Sequence, residues 1–146
     1  MTGLHHNISV LERIELMEGG IDKFYYSMPA EELVKMLAHP GKYKLKWLGE
    51  ALAWEYLRNV GIDGIKPDVH TRRIMGANRL GYSKNAEASN DEVASEAKNI
   101  LQQTGLSLFM IDALLWTFCS KSRANVCSMS PQCGICPITE HCNFLG

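Results

Sequence analysis

The sequence predicts an all-α fold, and three observations carry that prediction. Apolar residues recur at helical spacing along most of the chain, several of these segments begin at capping residues and end at glycine, and no segment alternates convincingly with period two. Hydrophobic residues make up 46% of the 146 residues and charged residues 21%, which indicates a globular protein with a sizeable core. Strands are therefore expected to be absent or minor.

The first half of the chain is predicted to hold three helices. The segment NISVLERIELMEG has Asn7 or Ser9 as its N-cap and is followed by two glycines. SMPAEELVKMLAH is capped by Ser27 and carries acidic residues in its first turn, where the helix dipole favours them. KWLGEALAWEYLRNVG is apolar on most sides and ends at Gly61, so we expect it to lie centrally.

The second half is predicted to hold three more helices. Asp68 is placed as the N-cap of PDVHTRRIMGANRLG. Ser89 and Glu92 form the capping box of the next helix, which ends at Gly105. The apolar helix from 106 to about 120 then leads into a cysteine-rich loop that closes the chain.

The most apolar stretch, GLSLFMIDALLWTF, is too short to span a bilayer and contains Asp112, so we expect a buried core helix and no membrane association. The start MTGLHHN shows no signal peptide, which favours a cytoplasmic protein. In a reducing compartment, clustered cysteines are more often metal ligands than disulfides.

Charge is unevenly distributed along the chain. The net charge is −1, but the segment from Lys42 to Lys84 holds nine Lys or Arg against four acidic residues, so it carries +5 and the rest −6. Such a segment is either a solvated helical face or an electrostatic footprint for phosphate.

Four of the five cysteines lie within sixteen residues. Their pattern is Cys127-x5-Cys133-x2-Cys136-x5-Cys142. The Cys-x2-Cys pair presents two sulfurs to a metal from one turn, which Gly134 is expected to ease. Four thiolates suit tetrahedral zinc or a four-iron cluster, and one central pair with two outlying cysteines is more typical of the cluster; free thiols are the alternative. Cys119 is expected to be a small buried residue, or else to replace Cys127 as a ligand.

Two segments resemble one family. CSMSPQCGICPITEHC resembles the terminal iron–sulfur loop of the endonuclease III group, within the helix-hairpin-helix DNA glycosylase superfamily, where the first gap is one residue longer. LKWLGEALAWEYLRNVGIDGIKPDVHTRRIMGANRLG resembles the hairpin, the long helix and the Asp-His helix of the same family. The two matches, residues 45–81 and 119–142, follow the family's order and cover about half of the chain.

The resemblance implies a DNA N-glycosylase that binds double-stranded DNA and holds a structural [4Fe–4S] cluster, with zinc as the alternative metal. The implied ligands are Cys127, Cys133, Cys136 and Cys142. Asp68 is implied as the catalytic carboxylate, which is compatible with its role as a helix cap. The implied DNA contacts are Lys44, Lys46, Trp47, Gly49, Arg72 and Arg73.

Some of these residues also have simpler interpretations. Trp47 is either a core residue, the commoner role of tryptophan, or a platform for a stacked base. Arg72 and Arg73 are either solvated or bound to phosphate. His70 resembles the family's histidine after the aspartate, but a lone histidine in a helix is more often structural.

Three features depart from the family pattern. The lysine of the bifunctional members is replaced by Glu50 or Ala51, so a lyase step is not expected. The hairpin lacks its first glycine and its proline, with Trp47 and Lys46 in their place. The roughly 44 residues before the hairpin are too few for all the family's helices. The base pocket is therefore either incomplete or completed by a partner or a second copy, as in a homo-oligomer.

The expected organisation is a helical domain over 1–118, with the hairpin at 45–60 and the Asp-bearing helix at 68–80, followed by a cluster loop at 119–146. Two other functions fit the sequence: a non-catalytic DNA-binding module of the same fold, and a zinc-stabilised helical interaction protein.

Overall fold

The structure is a computed structural model that describes residues 2–145, and in these residues it contains seven α-helices and no strand. The prediction of an all-α fold is confirmed. The helices are α1 (Gly3–Met17), α2 (Ile21–Tyr25), α3 (Ala30–Ala38), α4 (Glu50–Asn59), α5 (Val69–Ile74), α6 (Asn90–Thr104) and α7 (Leu108–Cys119). Three 3₁₀ turns follow, at Cys133–Ile135, Thr139–His141 and Asn143–Leu145. None of the helices described has the length and apolar character needed to cross a membrane.

The chain divides into two compact units, residues 1–64 and 65–146. The predicted division after residue 118, between a helical domain and a cluster loop, lies at another place and stays a prediction. Residues 1 and 146, which end the two predicted ranges, lie outside the described residues.

The first unit buries one face of each of its four helices in a common core. Ile14 of α1, Phe24 of α2, Leu33 and Leu37 of α3 and Leu57 of α4 are almost completely buried. Helices α3 and α4 make the most extensive helix–helix contact in the unit. Removal of these apolar side chains from water is the main stabilising contribution to this unit.

Two helices of the first unit begin at residues other than those predicted. Thr2 accepts a hydrogen bond from the first turn of α1, so the helix begins earlier than predicted, and Asn7 and Ser9 lie inside it. α3 begins after Pro29, whose fixed φ suits the residue before a helix, and Ser27 is not its cap. Thr2 thus replaces the predicted caps of α1, whereas α3 begins without a side-chain cap.

The second unit confirms three of the predicted helix ends. Asp68 caps α5, and the capping box between Ser89 and Glu92 is fully formed at the start of α6. Gly105 ends α6 in the left-handed conformation that glycine adopts without steric cost.

Two expectations for the second unit were wrong in extent. The Asp-bearing helix, predicted over 68–80, ends at Ile74. Helix α7 was expected to be buried throughout, but it buries Ile111 and Cys119 while Phe109 and Leu114 are about half exposed.

The early end of α5 follows from a tight loop packed against it. The N–H of Leu80 donates to the carbonyl of Ile74 at 3.0 Å, and the N–H of Ala77 donates to the carbonyl of Asn85 at 2.8 Å. A side chain at Gly76 would overlap the backbone carbonyl of Ala86. The close approach of two backbone segments therefore requires glycine at position 76.

We expect Gly76→Ala to lower the free energy of unfolding by about 2–3 kcal/mol, because a backbone carbonyl cannot move aside as a flexible side chain can. The matched control is Gly41→Ala, whose new methyl group would meet no atom within 4 Å. Urea denaturation of both variants measures the difference. Equal stabilities would contradict the close approach at Gly76.

Candidate functional site

The four predicted cysteine ligands line a single cavity in the second unit. The cavity is small, with a volume of about 20 Å³. Its lining also includes one cation and several apolar or small side chains: Arg79, Val126, Pro131, Thr139 and Phe144. Cys119, the fifth cysteine, is not among the residues that line it and is completely buried, as predicted for a small core residue.

Backbone hydrogen bonds bring the cysteine loop back to the end of α7. The carbonyl of Phe118 accepts from the N–H groups of both Val126 and Cys127, at 2.9 and 3.1 Å. The hydroxyl of Thr139 donates to the carbonyls of Cys133 and Cys136, both at 2.9 Å. The loop is therefore tied to α7 at its first cysteine and held together around the central pair.

The central Cys-x2-Cys pair forms without help from Gly134. The pair is joined by a 3₁₀ turn closed by the N–H of Cys136 on the carbonyl of Cys133, at 3.2 Å. A side chain at Gly134 would meet no atom within 4 Å, and its backbone is not in the left-handed region. Neither a left-handed backbone nor a close contact calls for glycine here, so the expectation that Gly134 eases the turn was wrong.

Positive charge surrounds the Cys127 thiol. The pKa of Cys127 lies below the usual thiol value because Cys119 donates a hydrogen bond to its sulfur and the guanidinium groups of Arg79 and Arg73 are close. The same bond to Cys127, together with burial, raises the pKa of Cys119. Cys127 is thus the member of this pair that is suited to bind a metal as the thiolate.

Two buried guanidinium groups near the cysteines have unused hydrogen-bonding capacity. Within the described residues, the Nε atoms of Arg73 and Arg79 are buried without a hydrogen-bond partner. Arg79 also lies with its guanidinium 4.0 Å from the centre of the Phe144 ring. A buried donor without a partner is costly, so an anionic group in the cavity beside Arg79 would be favoured there.

The structure provides side chains that could bind a metal, but it does not arrange them in a finished coordination geometry. No group of three or more His, Cys, Asp or Glu side chains in residues 2–145 is arranged to hold a metal ion. The four thiols around one cavity, with Arg79 in its wall, fit the chemistry of either zinc or a four-iron cluster.

Asp68 is held at the start of α5 by its cap. Its Oδ1 accepts from the N–H groups of His70 and Thr71, at 2.8 and 3.1 Å. Its Oδ2 lies 3.9 Å from the Nζ of Lys66, and the side chain is 17% exposed. One carboxylate oxygen is therefore anchored by the helix, while the other lies beside an ammonium group.

Asp112 supports the segment that carries Asp68. Its Oδ1 accepts from the backbone N–H of Lys66 at 3.1 Å, although Asp112 is 4% exposed and belongs to the apolar helix α7. The hydroxyl of Thr71 donates to the carbonyl of Lys66 at 3.0 Å. The sequence marked Asp112 as a charge in an apolar helix but did not indicate this contact.

Both predicted arginine contacts of DNA are used within the second unit. The Nη2 of Arg73 lies 3.2 Å from the Nδ1 of His70 and 3.3 Å from the carbonyl of Cys127. Arg72 donates from Nε to the carbonyl of Ala88 at 2.8 Å and pairs with Glu87 at 3.4 Å. Their binding to phosphate stays a prediction, whereas Arg73 already connects α5 to the cysteine loop.

The predicted hairpin contacts lie together in the loop before α4, in the first unit. The ammonium of Lys44 donates to the carbonyl of Leu48, whereas Lys46 is exposed. Gly49 is the N-cap of α4, with no side chain to occupy the first N–H groups of the helix. Trp47 is 79% exposed at φ 61°, so its interpretation as a core residue was wrong.

Comparison with known proteins adds no relative. No family model matches the chain, and neither a curated protein nor a solved structure matches it. The likeness to the helix-hairpin-helix glycosylases thus rests on the residues quoted above.

We expect Asp68→Ala to lower the free energy of unfolding by about 1 kcal/mol, because the two N–H groups that Asp68 binds would lose their acceptor. Asp68→Asn keeps an oxygen at the same position and should be nearly as stable as the unmodified chain. Chemical denaturation of the two variants separates these results. Equal losses in both would show that charge, rather than capping, is what Asp68 contributes to stability.

Proposed function

We propose that the protein is a DNA N-glycosylase that removes bases without a lyase step and carries a structural [4Fe–4S] cluster. The observation that carries the proposal is that α5 links Asp68 to the cysteine loop. Asp68 begins this helix, and Arg73 in its last turn reaches the carbonyl of Cys127 in the cysteine loop. This six-residue helix thus follows the proposed catalytic carboxylate and is bonded near its end to the first of the proposed cluster ligands.

The carboxylate is suited to the chemistry of base removal. Cleavage of the bond between base and sugar builds positive charge on the sugar, which a nearby carboxylate stabilises, or the carboxylate activates the attacking water. Oδ1 of Asp68 is anchored by two amides, which fixes the orientation of the group, and Oδ2 is the oxygen that would face the sugar. Neither Glu50 nor Ala51 provides an amine for a Schiff base, which supports hydrolysis alone.

The loop before α4 supplies features that favour phosphate. The N–H groups in the first turn of α4 follow Gly49, whose backbone a phosphate can approach because no side chain is present. Lys46, three residues earlier, is exposed and adds positive charge. Glu50 opposes this charge, and its carboxylate lies 2.6 Å from the Nε2 of His39.

The cluster would be held by Cys127, Cys133, Cys136 and Cys142, which line the same cavity. Four thiolates satisfy the four irons of such a cluster, so it would hold the loop together rather than act on substrate. Arg79 would donate to its sulfur atoms through the Nε that is otherwise without a partner.

We expect the purified protein to be brown, to contain iron and to absorb visible light. Cys133→Ser should lower the iron content and the yield of folded protein, because it removes one ligand of the central pair. Cys119→Ser is the matched control, since Cys119 is outside the cavity lining, and it should keep its iron. Elemental analysis and optical spectra measure both. A colourless protein that contains zinc would instead indicate the helical interaction protein.

We expect the protein to release damaged bases from duplex DNA and Asp68→Asn to slow this release at least about 100-fold while DNA binding is kept. Asp91→Asn, an exposed aspartate in the first turn of α6, is the control and should leave release unchanged. Single-turnover assays on duplexes with different base lesions measure release, and binding measured across salt concentrations should weaken as salt rises. Salt-sensitive binding without base release in the unmodified protein would identify a non-catalytic DNA-binding module.

A further inference from the structure

Trp47 combines two properties that are rare for a tryptophan. Its φ of 61° lies in the left-handed region, which strains a bulky residue, and its side chain is 79% exposed. Glycine would adopt this backbone conformation without strain and would expose no apolar surface. Backbone conformation and solubility therefore do not explain why the position holds tryptophan.

The indole ring of Trp47 packs against the start of α1. A Cβ at Gly3 would overlap three atoms of the six-membered ring of Trp47, so the ring lies directly against the backbone of this glycine. Gly3 is buried by this contact, although it begins an exposed helix end. One side of the indole is thus supported by α1, and most of its surface remains open to solvent.

The loop that carries Trp47 is held by side chains of α1. The Oδ1 of Asn7 accepts from the N–H of Lys46 at 2.7 Å, and its Nδ2 donates to the carbonyl of the same residue at 3.3 Å. The imidazole of His6 contacts the carbonyl of Lys44 at 3.2 Å. These bonds hold the backbone next to Trp47 in place.

The charge next to the ring favours an anionic partner. Lys46 is exposed, and within the described residues its ammonium has no ion-pair partner. An aromatic face beside a lysine is the combination that binds single-stranded nucleic acid, because the ring stacks on a base while the ammonium contacts the adjoining phosphate.

We propose that the indole of Trp47, seated on Gly3, is a stacking platform for an unpaired base of DNA, and that Lys46 binds the neighbouring phosphate. The proposal rests on DNA being the partner, and it names the form of DNA that this loop prefers. In an intact duplex both faces of each base are covered by its neighbours, so the platform requires a single-stranded stretch, as in a gap or at an end.

The test compares the full-length protein with Trp47→Gly and Trp47→Phe on a labelled single strand, a gapped duplex and an intact duplex, by fluorescence anisotropy. The unmodified protein should bind the first two more tightly than the third. Trp47→Gly should weaken binding to the single strand and the gapped duplex about tenfold, while binding to the intact duplex stays unchanged. Trp47→Phe should restore most of this loss, because it keeps an aromatic face.

Thermal unfolding separates this role from a structural one. Trp47→Gly relieves the strain at φ 61°, so its Tm should not fall below that of the unmodified protein. Gly3→Ala should also weaken binding to the single strand, because the new methyl group would displace the Trp47 ring from its contact with residue 3. Tyr26→Ala, which removes another exposed aromatic ring of the first unit, is the control and should bind normally.

The outcomes distinguish failure of this inference from failure of the proposed function. Salt-sensitive DNA binding that ignores both Trp47 variants, or that shows no preference for unpaired bases, would overturn the platform and leave the glycosylase proposal intact. A large fall in the Tm of Trp47→Gly would show that the ring serves stability. Absence of binding to all three DNAs would overturn the platform together with its premise.

Discussion

The second unit depends on the hydrogen bonds by which the chain, after leaving α7, turns back to the end of that helix. The carbonyl of Phe118, at the end of α7, accepts from both Val126 and Cys127, and this pair of bonds closes the turn between them. The turn includes Asn125 at φ 53°, a conformation that asparagine tolerates better than most residues. With the turn closed, Cys127 lies against Cys119 and near the guanidinium of Arg73. The position of the first cysteine is therefore fixed by backbone hydrogen bonds to the end of α7.

The same turn back to α7 also holds α5, a helix too short to be stable alone. α5 has six residues, well below the length at which an isolated helix forms in water. It is held at its start by Asp68 and by the contact of Asp112 with Lys66, and at its end by Arg73 on the carbonyl of Cys127. The last two of these contacts lead to α7 and to the loop that follows it. Any group that stabilised the cysteine loop would therefore also stabilise the position of Asp68.

Much of this architecture was predictable where a local rule decides the structure. The cap at Asp68, the capping box at Ser89 and the helix end at Gly105 depend on nearby residues alone, and all three were predicted. The length of α5 depends on a loop that packs against Gly76 from ten residues further on, and sequence periodicity does not reveal such contacts. The same limit applies to Arg79, whose place in the wall of the cysteine cavity has no signal in the surrounding sequence.

Asp68 and Trp47 illustrate two ways in which a chain can position a functional group. Asp68 satisfies the local rules: it caps a helix, and the cap itself orients the carboxylate at no cost in strain. Trp47 violates them, since a large ring stands at a positive φ and in solvent, which contradicts the core interpretation of this residue and leaves the stacking one open. A residue that obeys the local structural rules is easy to predict but gives weak evidence of function, because stability alone explains it. A residue that breaks these rules is hard to predict. The presence of Trp47 at a strained and exposed position is therefore the stronger argument that its ring has a partner.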